Sequence, residues 1–83
     1  MIKEKIGNRV KELRVSKKYM NQDEFSKIIG WDKTYLCRVE SGKQNITIDN
    51  LLMICNGLGI TLSEFFSTFN DVIEYEGELK NVK

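Results

Sequence analysis

Residues 22–41, GlnAspGluPheSerLysIleIleGlyTrpAspLysThrTyrLeuCysArgValGluSer, decide the fold of this chain. The apolar residues recur at helical spacing on both sides of Gly30: Phe25, Ile29, Trp31, Leu36 and Val39. A glycine at such a break is typical of a helix end, because it adopts a left-handed backbone without strain. The stretch therefore predicts two short helices, each burying one side, with the outer side of the second left free.

Four helix start signals surround this stretch and continue after it. In each, an apolar residue before the N-cap pairs with an apolar residue in the first turns of the helix, a hydrophobic staple. The pairs are Met20 with Phe25 around Asn21, Trp31 with Leu36 around Asp32, Ile46 with Leu51 around Thr47, and Ile60 with Phe65 around Thr61. Asn21 and Thr61 also have a glutamate three residues later, as in a capping box. Helices are therefore expected to begin at residues 22, 33, 48 and 62.

Two of the remaining elements are also legible. A first helix is predicted at about residues 2–17, where one apolar stripe lies on a charged helix: Ile2, Ile6, Val10 and Leu13. The helix at about 48–58 is apolar nearly all round, which predicts that it is the central element, and Gly59 is placed to end it. The fold class is therefore all-α.

The end of the chain leaves alternatives open. A fifth helix at about 62–69 carries more apolar residues than one face of a short helix holds: Leu62, Phe65, Phe66 and Phe69. Part of this cluster is expected to close the core, and the remainder suits a symmetric homodimer interface. Residues 70–83 form a C-terminal tail in which a short strand, a continued helix and a loose segment are equally consistent with the pattern. The domain is thus predicted to span residues 1–69.

Composition narrows the class of function. The net charge is only +1, but residues 1–45 hold eleven Lys and Arg against six acids, and residues 46–83 hold two against six. This asymmetry fits a nucleic-acid face on one part of the domain, and it equally fits a chance split of solvated helix faces. The chain has no histidine, no cluster of metal ligands and no phosphate-cradling glycine loop. We therefore expect no enzyme activity, no metal and no cofactor.

Location and redox state follow from weaker signals. Cys37 and Cys55 form no CxxC pair, and no run is long and apolar enough for a membrane span. The charged N-terminus does not read as a signal peptide. We expect a cytoplasmic protein in which Cys55 is core and Cys37 is an inert exposed thiol.

A two-helix unit with a short glycine-containing turn is typical of the helix-turn-helix, whose second helix enters the DNA major groove. If that helix begins at Lys33, then Leu36 and Val39 face inward and Lys33, Thr34, Cys37 and Arg38 face outward. Lysine and arginine donate to guanine O6 and N7, and threonine offers a hydroxyl and a methyl group to other base edges. The outer side is either a set of base-reading residues or a solvated face, and the surrounding motif favours the first.

The sequence also resembles a known family, the Cro/phage-repressor (Xre) type of helix-turn-helix regulator, over residues 6–69. The resemblance rests on AsnGlnAspGluPhe at 21–25, Gly30, TyrLeuCysArgValGluSerGlyLys at 35–43 and LeuGlyIleThrLeuSerGluPhePhe at 58–66. AspLysThrTyr at 32–35 and AsnIleThrIle at 45–48 look most like controller proteins of restriction–modification systems. The chain departs from the family at 16–20, SerLysLysTyrMet, which lacks the usual glycine, and at Ser26, where alanine is usual.

The resemblance implies a five-helix, lambda-repressor-like DNA-binding domain. It places base contacts at Lys33, Thr34 and Arg38 and a phosphate contact at Gln22. It also implies a structural ion pair between Arg14 and Glu40, so that Glu40 is not a catalytic acid.

Further backbone contacts are expected around the recognition helix. Free N–H groups at the start of a helix favour a phosphate, which suggests Asn21 together with Gln22, although Asn21 is a cap in either case. Tyr35, Lys43 and Asn45 flank the recognition helix and are candidates for positioning the duplex. Lys43 as an ordinary solvated lysine is almost as well supported.

Two functions compete at this point. The first is a homodimeric, sequence-specific regulator that binds a partly palindromic operator on double-stranded DNA, and Asp23 and Glu24 would then be candidates to contact RNA polymerase. An acidic first turn is, however, also favoured by the helix dipole. The alternative is an antitoxin or adaptor that binds a protein partner through its acidic C-terminal region as well as DNA.

Overall fold

The computed structural model describes residues 2–17 and 21–70. Five helices follow one another along the chain: α1 (Ile2–Ser16), α2 (Gln22–Ile29), α3 (Lys33–Glu40), α4 (Ile48–Leu58) and α5 (Leu62–Phe65). The described residues contain no strand. The all-α prediction and all four predicted helix starts are therefore confirmed. The Met20 staple and the predictions for residues 71–83 lie outside the described residues.

Local hydrogen bonds explain where these helices begin. The side chains of Asn21, Thr47 and Thr61 each accept a hydrogen bond from the backbone N–H three residues later. The capping box is complete at Thr61, and hydrogen bonds from its backbone and side chain lower the pKa of Glu64. At α2 the reciprocal bond instead joins the Asn21 side-chain amide to Glu24 Oε1, at 2.7 Å. At α3, Asp32 occupies the N-cap position without a side-chain cap hydrogen bond.

Glycine ends α2 and α4 as the sequence predicts. Gly30 has a φ of 76° and Gly59 a φ of 70°, both in the left-handed region. After each glycine, the next N–H bonds back to a carbonyl five residues earlier, from Trp31 to Ser26 and from Ile60 to Cys55. This 6→1 bond, together with the shorter bond from the glycine N–H, forms a Schellman motif that satisfies carbonyls at the helix end.

All five helices contribute to one apolar core. Its buried members are Val10, Phe25, Ile29, Leu36, Val39, Leu51, Ile54, Cys55, Leu58 and Phe65. Burial raises the pKa of the Cys55 thiol, which keeps it in the neutral form suited to a core. Gly7 allows α1 to approach the end of α3 closely, since a Cβ there would lie 2.7 Å from the Glu40 carbonyl oxygen and would also meet that of Val39. The core thus fixes α3 against α1.

α4 contacts α1, α2 and α5, as the predicted central element should, but its apolar residues are not all buried. It buries Leu51, Ile54, Cys55 and Leu58, but the other side is open, with Ile48 66%, Leu52 44% and Met53 41% exposed. The reason is that α4 packs against α1, α2 and α5 on one side only. These three apolar side chains are left exposed on the surface of a single chain.

The predicted helix at 62–69 was too long, because α5 ends at Phe65. Continuing the helix would require the carbonyls of Glu64 and Phe65 to accept from residues 68 and 69. Instead the Arg9 guanidinium of α1 donates to both, from Nη2 to Glu64 at 2.9 Å and from Nε to Phe65 at 2.8 Å. This long-range contact ties the end of α5 to α1.

Candidate nucleic-acid interface

The two sides of α3 have opposite environments. Leu36, Val39 and Glu40 are buried, whereas the outer side is exposed and consists of Lys33, Thr34, Cys37 and Arg38. The three residues predicted to read bases therefore lie together on one open surface, with two cations and a hydroxyl within two turns of helix. Major-groove recognition needs this combination of donor types on an accessible helix.

Arg38 is the member of this group whose side chain has defined partners. Its Nε donates to Gln44 Oε1 at 3.1 Å, and its Nη2 donates to the Lys43 carbonyl oxygen at 3.4 Å. Both acceptors belong to the segment that follows α3. The guanidinium is thus oriented by the protein while it remains exposed to solvent.

A buried polar cluster holds α3 from behind. Arg14 donates to Glu40 through Nε at 2.7 Å and through Nη2 at 2.9 Å, in the two-bond geometry that suits guanidinium and carboxylate. The two residues are only 3% and 5% exposed. Gln22 Nε2 adds a third hydrogen bond to Glu40 Oε1 at 3.0 Å. One carboxylate therefore links α1, α2 and α3.

This cluster includes a residue at the start of α2. The Gln22 amide is half-buried and donates one of its two N–H groups to Glu40, which gives the side chain a structural role, and its phosphate contact stays a prediction. The Asn21 side chain is likewise engaged, since it accepts from the Glu24 N–H at 2.8 Å and donates to the Glu24 carboxylate. The main-chain N–H groups at this end of α2 are further candidates to bind a phosphate.

The residues predicted to flank the recognition helix differ in how far they are exposed. Lys43 and Asn45 are exposed beside α3. Tyr35 is half-buried, with its ring edge-on to Trp31 at 4.7 Å between centroids and its hydroxyl accepting from Asn50 Nδ2 at 3.1 Å. Tyr35 therefore presents only part of its ring and its hydroxyl to the surface.

The aromatic residues predicted to serve the dimer interface also separate. Phe65 is fully buried, so it belongs to the core rather than to a surface. Leu62, Phe66 and Phe69 are half-buried and pack against that core from outside. The three rings form one cluster, with Phe66 5.0 Å from Phe65 and from Phe69. The half-buried apolar surface at α5 and the turn after it thus packs on Phe65 without including it.

Sequence reasoning missed several residues that shape this region. Gln44 and Asn50 orient Arg38 and Tyr35, and Arg9 holds the end of α5. None belongs to a motif, and each acts across a turn or between helices. Among the described residues, no group of acidic, histidine or cysteine side chains could hold a metal ion, and no helix has the length and apolar character to cross a bilayer.

Comparison with known proteins assigns the family. Residues 10–65 match the helix-turn-helix family HTH_3. The chain is 47% identical over 66 residues to the control protein C.MunI of Mycoplasma sp., a match covering 80% of this chain and 89% of that protein.

Solved structures agree with this assignment. The restriction–modification controller protein C.AhdI from Aeromonas hydrophila is 33% identical with a TM-score of 0.70, covering 76% of this chain and 94% of that one. The wild-type controller C.Esp1396I is 26% identical with a TM-score of 0.73, covering 88% and 94%. This chain belongs to the Xre-type helix-turn-helix family of DNA-binding regulators, and within it is most similar to restriction–modification controller proteins.

Proposed function

We propose that this protein is the controller of a restriction–modification system, a transcriptional regulator that binds a partly palindromic operator on double-stranded DNA as a homodimer. The observation that carries the proposal is the exposed outer side of α3, where Lys33, Thr34 and Arg38 lie on a helix fixed from behind by the buried Arg14–Glu40 pair. A rigid helix with an open polar side is suited to the major groove.

The contacts proposed with DNA fall into two classes. Lys33, Thr34 and Arg38 read base edges in the major groove. Lys43 and Asn45, the main-chain N–H groups at the start of α2 and the accessible part of Tyr35 hold phosphates on either side. The phosphate contacts fix the register of α3 on the duplex, and the base contacts select the sequence.

Gel-shift titration against promoter fragments and random duplexes of equal length tests this proposal at one fixed salt concentration. A protein of this function binds its operator about a thousandfold or more tightly than random DNA. Equal affinity for every fragment would contradict sequence-specific regulation. A neighbouring methyltransferase and endonuclease pair in the genome supports the controller role, whereas a neighbouring toxin gene favours an antitoxin.

The homodimer is proposed from apolar surface that one chain leaves uncovered. Leu62, Phe66 and Phe69 are half-buried around α5, and the adjoining helix α4 exposes Ile48, Leu52 and Met53. A second copy covering this surface brings two α3 helices to half-sites about 34–36 Å apart, one turn of DNA. Burying this apolar area also supplies the driving force for association.

Sedimentation equilibrium measures this association directly. Leu52→Asp introduces a charge on the exposed side of α4 and is expected to shift the protein to monomer, whereas Val15→Asp, which places the same charge at an exposed apolar position on α1, is the matched control. Both positions are exposed, so the thermal unfolding of the monomer should change little. A wild-type protein that sediments as a monomer at micromolar concentration would contradict the dimer.

We also propose RNA polymerase as a partner and the cytoplasm as the location. Asp23 and Glu24 are exposed on the first turn of α2, although Asp23 also approaches Lys27 at 3.2 Å and the Glu24 carboxylate accepts a hydrogen bond from the Asn21 cap. Asp23→Asn should lower activated transcription in vitro without changing operator affinity. Unchanged transcription by that variant would remove polymerase contact from the proposal.

A further inference from the structure

The segment after α3 folds back onto the residue that is best placed to read a base. The Lys43 N–H bonds to the Arg38 carbonyl oxygen at 3.0 Å, and the Gly42 N–H bonds to that of Val39 at 3.1 Å. Gly42 has a φ of 77°, in the left-handed region. This is a Schellman motif, so the path of the chain from Arg38 to Gln44 is set by the helix end itself.

Helix α1 fixes the same segment from the other side. A Cβ on Gly42 would lie 2.9 Å from Glu4 Cα, which shows that the turn is seated directly on the α1 backbone. Gln44 is half-buried and lines a small hollow with Ile2, Ile6 and Val39. The position of Gln44 is therefore determined by the packing of two helices rather than by a free loop.

Gln44 and the turn together hold one edge of the Arg38 guanidinium. Nε donates to Gln44 Oε1 and Nη2 to the Lys43 carbonyl oxygen, and these two donors share one side of the planar group. The other edge, formed by Nη1 and the second hydrogen of Nη2, has no acceptor among the described residues. Two parallel N–H donors on one edge are what guanine O6 and N7 require.

We propose that Gln44 is a positioning residue for base reading, which holds Arg38 so that its open edge meets one guanine of the operator. The inference rests on the proposed function, because it specifies how the same side of α3 selects sequence. An exposed arginine loses rotamer freedom when it binds. A guanidinium already oriented by Gln44 loses less, and it is directed at one base pair rather than its neighbours.

The test compares variants at Gln44 on two duplexes: an operator chosen by selection from random DNA, and the same operator with one guanine base pair replaced. That base pair is the one at which Arg38→Ala loses its preference. Gln44→Met keeps the length of the side chain and removes the acceptor for Arg38. It is expected to lower the affinity ratio of the two duplexes about fivefold, roughly 1 kcal/mol, while affinity for random DNA and the melting temperature stay unchanged.

Two further variants separate positioning from direct contact with DNA. At base pairs whose preference Arg38→Ala retains, Gln44→Met should leave the affinity ratio unchanged, since Gln44 acts through Arg38 rather than on the DNA. Gln44→Glu keeps an acceptor oxygen, so it should preserve the ratio although its charge weakens binding to all DNA. A structural role alone would not produce this rescue.

Three results would overturn the inference: an unchanged ratio in Gln44→Met, an equal loss at base pairs whose preference Arg38→Ala retains, or failure of Gln44→Glu to preserve the ratio. The proposed function fails in a different way, because the wild-type protein would then bind both duplexes and random DNA alike. That outcome removes base reading altogether, and with it the role of Gln44.

Discussion

The two sides of α3 carry charged residues in opposite environments, buried on the inner side and exposed to solvent on the outer side. On the inner side, Glu40 is 5% exposed and accepts hydrogen bonds from Arg14 and Gln22. On the outer side, Lys33 and Arg38 are exposed. The same eight-residue helix therefore holds a carboxylate whose partners are internal and cations available to an external anion.

Because of this difference, the inner side of α3 contributes to stability, and the outer side is available for recognition. A buried charge is costly unless it is paired, so loss of either inner partner leaves an uncompensated charge in the core. An exposed charge is solvated in the free protein, so its removal costs little until DNA is bound. Substitutions on the inner side should therefore change unfolding, and substitutions on the outer side should change binding.

The largest expected effect is at the inner carboxylate. Glu40→Gln keeps the shape of the side chain and removes the negative charge that faces the buried Arg14 guanidinium. The free energy of unfolding should fall by roughly 3–5 kcal/mol, measured by urea titration. Asp49→Asn, which neutralises an exposed carboxylate on α4, is the control. A loss below about 1 kcal/mol would indicate that the pair behaves like a surface ion pair.

An intermediate effect is expected at the outer arginine. Arg38→Ala should reduce discrimination at one guanine base pair by roughly 1–3 kcal/mol, because the side chain that matches O6 and N7 is removed. Its free energy of unfolding should change by no more than about 0.5 kcal/mol, as for other surface substitutions. Binding-site selection with the variant and urea unfolding measure the two quantities. If Arg38→Ala selected the same operator sequence as the wild-type protein, with the same preference at every position, base reading would not depend on Arg38.

The smallest effect is expected at Lys43, next to α3 but outside it. Lys43→Ala should weaken all sequences alike and lower the slope of log affinity against log salt by about one, because one phosphate contact is lost. Fluorescence anisotropy over a series of salt concentrations measures that slope. If Lys43→Ala instead altered preference among sequences, Lys43 would belong with the base-reading residues.

Much of the fold could be predicted from local signals. Caps, staples and glycines placed the starts of α2 to α5 and the ends of α2 and α4, because each depends on residues within one or two turns. The predicted end of the last helix, at about residue 69, was wrong. α5 ends at Phe65, and the carbonyl groups there accept hydrogen bonds from Arg9, which is far away in sequence, so no local pattern indicates this contact.

The candidate site, too, could be predicted only where it depends on residues close along the chain. The outward direction of Lys33, Thr34 and Arg38 follows from helical periodicity once the start of α3 is known. The inward direction of Gln22 does not, because it depends on where Glu40 lies after α1, α2 and α3 have packed. The exposure of apolar residues on α4 was missed for a similar reason, since only the arrangement of helices shows which side of α4 has no neighbour.

The sequence by itself determined the all-α class, the register of the helices and the three side chains on the outer side of α3. These depend on interactions between residues close along the chain. Only the tertiary structure decided that Phe65 is core while Phe66 and Phe69 reach the surface, and that Gln44 lies beside Arg38. These properties arise when separate helices and turns pack together, so no spacing in the sequence contains them.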